Sequence, residues 1–239
     1  MMMRRISYLI LGFVWLGNLL FVSQALAEDK TFSIGIRIGP FTPLDAQIKG
    51  FRIVYFESTE AQEGVIVSGF GTGSDVNLHF NYDFSNWGLM LAGGFRLLQE
   101  NRIDLNHIYG RDMFENRLNI FPITLSSVYK IKIPDSRTIP YLGLGLGIYF
   151  AEWETKHWMW RDEVLTRYWL KGSAKPLGIH FLSGFNAFIY HDIFLNCEFR
   201  YSLIEGDWKI KDVDRNTQTE YQKLNIGGAS INLGLGYSF

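Results

Sequence analysis

Ala229-Ser230-Ile231-Asn232-Leu233-Gly234-Leu235-Gly236-Tyr237-Ser238-Phe239 ends the chain in an unbroken alternation. Ala229, Ile231, Leu233, Leu235, Tyr237 and Phe239 share one parity; Ser230, Asn232, Gly234, Gly236 and Ser238 share the other. Successive side chains of a strand point to opposite faces, so the stretch reads as a strand with one apolar face and one small or polar face. The same period recurs upstream. Leu142, Leu144, Leu146, Ile148 and Phe150 alternate with Gly143, Gly145, Gly147, Tyr149 and Ala151. Trp87, Leu89, Leu91, Gly93, Phe95 and Leu97 alternate with Gly88, Met90, Ala92, Gly94 and Arg96. With the weaker cases included, eight strands are predicted, over 31–39, 74–83, 86–98, 117–132, 139–152, 177–190, 193–204 and 224–239.

The connections alternate in length. Phe84–Ser85, Ile133–Thr138 and His191–Asp192 are short; 40–73, 99–116, 153–176 and 205–223 are long and polar. Short turns at one end and long loops at the other mark a transmembrane β-barrel, whose tilted strands need about 9–11 residues to cross. Closure follows, because a sheet edge in hydrocarbon leaves backbone N–H and C=O groups without partners. A soluble sandwich or barrel would also alternate, but its outer face meets water. Here the second face is Gly, Ser and Asn with isolated charges, which suits a cramped lumen. Phe32, Tyr82, Phe84, Trp87, Tyr129, Tyr190, Tyr237 and Phe239, at strand ends, read as an interfacial girdle. The expected fold is therefore all-β: an eight-stranded antiparallel transmembrane β-barrel. Within 40–73, Gly50–Phe56 and Gly64–Phe70 read as a hairpin in the first long loop; as spanning strands they would make ten, but each is short for a crossing.

Composition agrees with this class. The 239 residues are 47% hydrophobic and 20% charged with net charge −1, which excludes a strongly basic nucleic-acid binder and a highly charged disordered chain. The single Cys197 excludes an intramolecular disulfide framework and a Cys-rich zinc site, and on parity it faces lipid. No cofactor is expected. The first residues form an address label: Arg4 and Arg5, an apolar run from Ile6 to Val22, then Ala25-Leu26-Ala27 before Glu28. That is a secretory signal, with cleavage expected between Ala27 and Glu28 and no lipoprotein Cys nearby. The expected organisation is a signal peptide over 1–27 and one barrel domain over 28–239.

The terminal Gly234-Leu235-Gly236-Tyr237-Ser238-Phe239 resembles the C-terminal signal of Gram-negative outer-membrane barrels. The resemblance implies that Leu235, Tyr237 and Phe239 are read by the barrel-assembly machinery. Pro140–Gly147 and Glu198-Phe199-Arg200-Tyr201 are similar to strand motifs of the small OmpA-like and OmpW-like barrels. The resemblance covers nearly all of the chain after the signal. It implies insertion in the outer membrane of a Gram-negative bacterium, periplasmic termini, and outer-membrane lipid and lipopolysaccharide as surroundings. No peptidoglycan-binding domain is expected after the last strand.

The candidate chemistry lies on the lumen parity: Arg37, Asp75, His79, Asp83, Arg96, His180, Glu198 and Arg200. Unpaired charges there are costly to desolvate, so they should pair or stay hydrated. A hairpin around 84–87 would place Asp75 opposite Arg96, and Glu198 and Arg200 are i, i+2 neighbours on one face. An eight-stranded lumen is just wide enough for side chains, which favours a salt-bridge plug over a polar pathway. His180 and Ser183, three apart, fall on opposite faces and make no nucleophile–base pair. Gly69–Gly73 and Gly143–Gly147 look like phosphate loops but do not join a strand to a helix. Trp153, Trp158, Trp160 and Trp169 form an aromatic cluster in a long loop with Lys156, His157, Arg161 and Arg167 nearby. It reads as an interfacial cluster near lipopolysaccharide phosphates, or alternatively as a site for a small hydrophobic or glycan ligand. The functional expectation is a non-enzymatic barrel acting in envelope structure or through its external loops. A narrow channel for small or hydrophobic solutes ranks second and a lipid-modifying enzyme last.

Overall fold

The computed structural model describes residues 30–43, 52–57, 60–65, 72–107, 110–161, 164–213 and 217–239. The signal segment 1–27 and its cleavage site lie outside them. No helix among the described residues is long and apolar enough to cross a membrane; the regular elements are strands. They are β1 (Lys30–Pro43), β2 (Arg52–Glu57), β3 (Glu60–Val65), β4 (Gly73–Phe84), β5 (Trp87–His107), β6 (Gly110–Lys130), β7 (Thr138–Arg161), β8 (Val164–Ala174), β9 (Leu177–Tyr190), β10 (Ile193–Asp212), β11 (Thr217–Asn225) and β12 (Gly228–Ser238).

All pairings are antiparallel, and they close a ring. β1 pairs β4, and β4 to β7 pair in succession. β8 and β9 run as one line along β7, and both pair β10 on their other side. β11 and β12 likewise run as one line along β10, and β12 pairs β1 with Ser33 opposite Ser238. The ring is therefore eight strands around. The line of β8 and β9 is interrupted at Lys175–Pro176, where proline has no N–H for a ladder, though its carbonyl accepts from Tyr149 N at 3.0 Å. β2 and β3 pair with each other in a sheet of their own, so the ten-strand alternative is not realised.

At one rim sit both ends of the described barrel and three short turns. Ser85 and His191 open the two-residue loops with φ of 56° and 42°, left-handed backbone that lets a tight hairpin follow the strand twist. The expected aromatic girdle lies at this rim: Phe32 and Tyr82 rings are 4.8 Å apart, Trp87 and Tyr129 4.9 Å, Tyr237 and Phe239 4.9 Å.

The strands are longer than the alternation predicts. The expected loops 99–116, 153–176 and 205–223 are largely strand, because β5, β6, β7, β8, β10 and β11 carry the wall well beyond the apolar band. The alternation does not stop there; it changes phase. Near the short-turn rim the outward side chains are apolar and exposed, as with Ile36, Leu78, Leu91, Ile123, Leu144, Phe181, Phe199 and Leu233. Further along, the apolar side chains turn inward: Leu98, Leu118, Ile120, Ala151, Trp153, Leu170, Ile204 and Trp208 are buried. The slip falls at Leu97-Leu98, Ile120-Phe121, Phe150-Ala151 and Leu203-Ile204. An outward apolar face suits lipid and an inward one suits a wall standing in water, so the slip marks the membrane boundary. From Ile131, the residue just past β6, to Phe121 within it, ten residues at ~3.4 Å each and a tilt of ~40° span about 25 Å, the height of such a band.

Candidate functional site

The lumen is filled in layers. The small partners on its walls make the filling fit. A Cβ added at Gly145 would lie 2.4 Å from His180 Nε2, and one at Gly35 would lie 2.5 Å from the His79 ring, so each glycine leaves room for the imidazole of its register partner on the neighbouring strand.

In the middle layer, Glu198 is the hub. Arg37 Nη1 donates to its Oε2, Arg200 Nη2 lies 2.9 Å from its Oε1, and Tyr141 OH donates to Oε2 at 3.1 Å. Asn196 Nδ2 donates to Tyr141 OH at 2.9 Å and to Asn186 Oδ1 at 2.6 Å, tying the hub to the next layer down. Asp75 and Arg96 are register partners on β4 and β5, and Arg96 Nε stands 3.3 Å from Asp75 Oδ2. The Arg96 guanidinium is held over the Phe41 ring at 4.5 Å, with Tyr149 at 5.9 Å. At the short-turn rim Lys130 Nζ lies 2.5 Å from Asp83 Oδ2. Arg37, Arg96, Glu198 and Arg200 each retain 1% exposure or less.

Above this layer Phe41, Leu98, Leu118, Ile120, Tyr149, Trp153, Leu170, Ile204 and Trp208 pack as an apolar cluster across the barrel. A smaller one, Met90, Val128, Tyr141 and Leu182, lies below. The lumen thus holds a polar network between two apolar layers.

All eight candidate lumen residues, Arg37, Asp75, His79, Asp83, Arg96, His180, Glu198 and Arg200, are buried. His180 Nε2 shares a hydrogen bond of 2.8 Å with Ser126 Oγ, a partner 54 positions away on β6 that local spacing does not reveal. The pair satisfies the nucleophile–base distance but little else: His180 Nδ1 has no hydrogen-bond partner among the described residues, and both side chains are buried. No group of three or more His, Cys, Asp or Glu among the described residues could hold a metal ion.

The four-tryptophan loop cluster is not one cluster. Trp153 turns into the lumen top and is 2% exposed, because it lies on β7 beyond the phase slip. Trp158 and Trp160 also lie on β7, and Trp169 lies on β8, all within strands rather than a loop. Trp169 stands on the outer wall, its Nε1 donating to Glu154 Oε1 at 2.6 Å, with Lys171 Nζ 4.5 Å and Arg167 5.2 Å from its ring. Cys197 is a free, half-buried thiol on the outward parity. Leu235, Tyr237 and Phe239 are outward and exposed; Phe239 N donates to Phe32 O at 2.7 Å.

The closed ring and exposed apolar band define an outer-membrane-type β-barrel. No family model matches the chain, and no curated protein matches it. Solved structures do. The outer membrane protein OprG from Pseudomonas aeruginosa aligns over 89% of this chain and 97% of its own, at 18% identity and a TM-score of 0.57. A major outer membrane protein from Thermus thermophilus aligns over 89% of this chain and all of its own, at 12% identity and a TM-score of 0.50. The fold is that of the small eight-stranded outer-membrane barrels.

Proposed function

We propose that the protein is a non-enzymatic outer-membrane barrel with a structurally plugged lumen, acting in envelope architecture or surface interaction through its outer wall and external segments. On this reading residues 1–27 are removed between Ala27 and Glu28. The barrel inserts with both termini in the periplasm, and Leu235, Tyr237 and Phe239 present the assembly signal. The buried lumen charges Arg37, Asp75, His79, Asp83, Arg96, His180, Glu198 and Arg200 hold the strands together rather than conduct or react. The observation that carries the reading is the hub of Arg37, Glu198 and Arg200, each at 1% exposure or less beneath the apolar layer of Tyr149, Trp153 and Trp208. The buried Ser126–His180 pair, without a carboxylate on Nδ1, supports the non-enzymatic part.

Conductance of the refolded chain from Glu28 in a planar bilayer is the test, with the gel-mobility difference between boiled and unboiled samples as proof of folding. The expected result is a folded, silent protein. Reproducible steps that change on Glu198→Ala or Arg96→Ala would overturn the plug in favour of a narrow solute channel.

A further inference from the structure

Beyond the phase slip, the outer wall carries in-register rows of charge across four strands. Asn119, Glu152, Ser173 and Lys209 are successive partners on β6, β7, β8 and β10. Arg117, Glu154, Lys171 and Lys211 form the next row away from the membrane. Below both rows, Phe95, Phe121 and Phe150 end the lipid-facing band, with Lys175 Nζ 5.6 Å over the Phe150 ring. The wall is concave here. Two adjoining hollows of about 700 and 610 Å³ share Asn119, Glu152, Ser173 and Lys209. The upper reaches Arg117, Lys171 and Lys211; the lower reaches the three phenylalanines.

The charges are unequal. Arg117, Lys171, Lys175, Lys209 and Lys211 face Glu152, Glu154 and Asp207. Glu154 is already engaged by Trp169 Nε1 and, at 3.7 Å, by Lys171. Among the described residues, Arg117, Lys209 and Lys211 have no carboxylate within ion-pair distance. Adjacent strands are ~4.8 Å apart and alternate residues along a strand ~7 Å, so Lys171, Lys209 and Lys211 on two neighbouring strands stand within about 5–9 Å of one another, and Arg117, three strands from Lys211, lies about 14 Å away. Phosphate is bound well by such a cluster, and screening weakens near a low-dielectric surface.

We infer that this hollow seats a phosphorylated, multiply acylated glycolipid of the outer leaflet, its acyl chains on Phe95, Phe121 and Phe150 and its phosphates on Arg117, Lys171, Lys209 and Lys211. The position decides the occupant: Lys209 stands one row and Arg117, Lys171 and Lys211 two rows above the last apolar row, where a lipid headgroup lies. The inference rests on the orientation under the proposed function, which puts this end of the barrel outside.

The probe is hexa-acylated diphosphoryl lipid A, added to the refolded chain in a neutral detergent and followed by native mass spectrometry. One saturable lipid per barrel is expected. The triple variant Lys171→Ala, Lys209→Ala, Lys211→Ala should weaken binding at least ten-fold. Lys132→Ala, on a turn at the opposite rim, should leave it unchanged, and so should excess inorganic phosphate. Equal binding by wild type and the triple variant would overturn the site, and full competition by inorganic phosphate would overturn the lipid as its occupant. Orientation is read separately, with a tag inserted between Pro134 and Asp135. Antibody access only after permeabilisation supports the orientation. Access on intact cells would remove the outer-leaflet assignment whatever the detergent result.

Discussion

Glu198 and its two arginines show why single residues matter in so narrow a lumen. A buried pair that loses one partner leaves an uncompensated charge at a cost of about 3–5 kcal/mol, although the intact pair adds little over an apolar substitute. Glu198→Gln strands Arg37 and Arg200 together, so it should lower the barrel's unfolding free energy in urea by about 3 kcal/mol or more. Replacing all three charges with Leu and Met should recover most of that loss; a triple variant as unstable as Glu198→Gln would refute the charge argument. Gly145 makes a steric case. Gly145→Ala would press its Cβ against both His180 Nε2 and the Leu125 carbonyl, at 2.4 and 2.5 Å. The expected cost is about 1–3 kcal/mol, and His180→Ala should rescue it only in part because the backbone contact remains.

Along the elements, the phase slip separates lipid from water on each strand. β5 offers the comparison on one strand: Leu91 faces outward in the middle of the apolar band, and Gln99 faces outward beyond the slip. Leu91→Arg should destabilise the refolded barrel in bilayers by about 2–4 kcal/mol, whereas Gln99→Arg should cost less than about 1 kcal/mol. Similar costs at both positions would place the boundary elsewhere. The slip also accounts for the underestimated strand lengths. A search for one outward apolar parity stops where the parity inverts, although Leu118 and Ile120 on β6, and Trp153 on β7, continue the same period on the other face.

For the whole molecule, closure distributes the load unevenly. Among the described residues the hairpin of β2 and β3 pairs only with itself, so replacing residues 52–65 by a short Gly-Ser linker should leave the refolding midpoint unchanged. A lowered midpoint would show that the hairpin braces the barrel. Removing Phe239 should cost about 1 kcal/mol of stability in vitro, for one backbone hydrogen bond to Phe32, yet sharply reduce assembly in cells. Normal assembly without Phe239 would count against the C-terminal signal.

What the sequence determined by itself is local. Parity assigns each side chain to one face or the other, and Arg37, Asp75, His79 and Glu198, all on the inward parity, are buried. A two-residue turn assigns register to its own two strands, which is why Asp75 opposite Arg96 was legible across Ser85–Asn86. Only the tertiary structure decided the rest. Arg37 and Glu198 are 161 positions apart on β1 and β10, strands that do not pair, and they meet across the lumen only because the ring closes. Ser126 finds His180 across a strand, and Trp153 faces inward because the wall has left the membrane by that point. The cationic rows likewise need β8 to pair β7 on one side and β10 on the other. The physical reason is common to all of these. Alternation belongs to one chain segment, whereas contact across a barrel depends on how strands far apart in sequence are staggered when the last one bonds to the first.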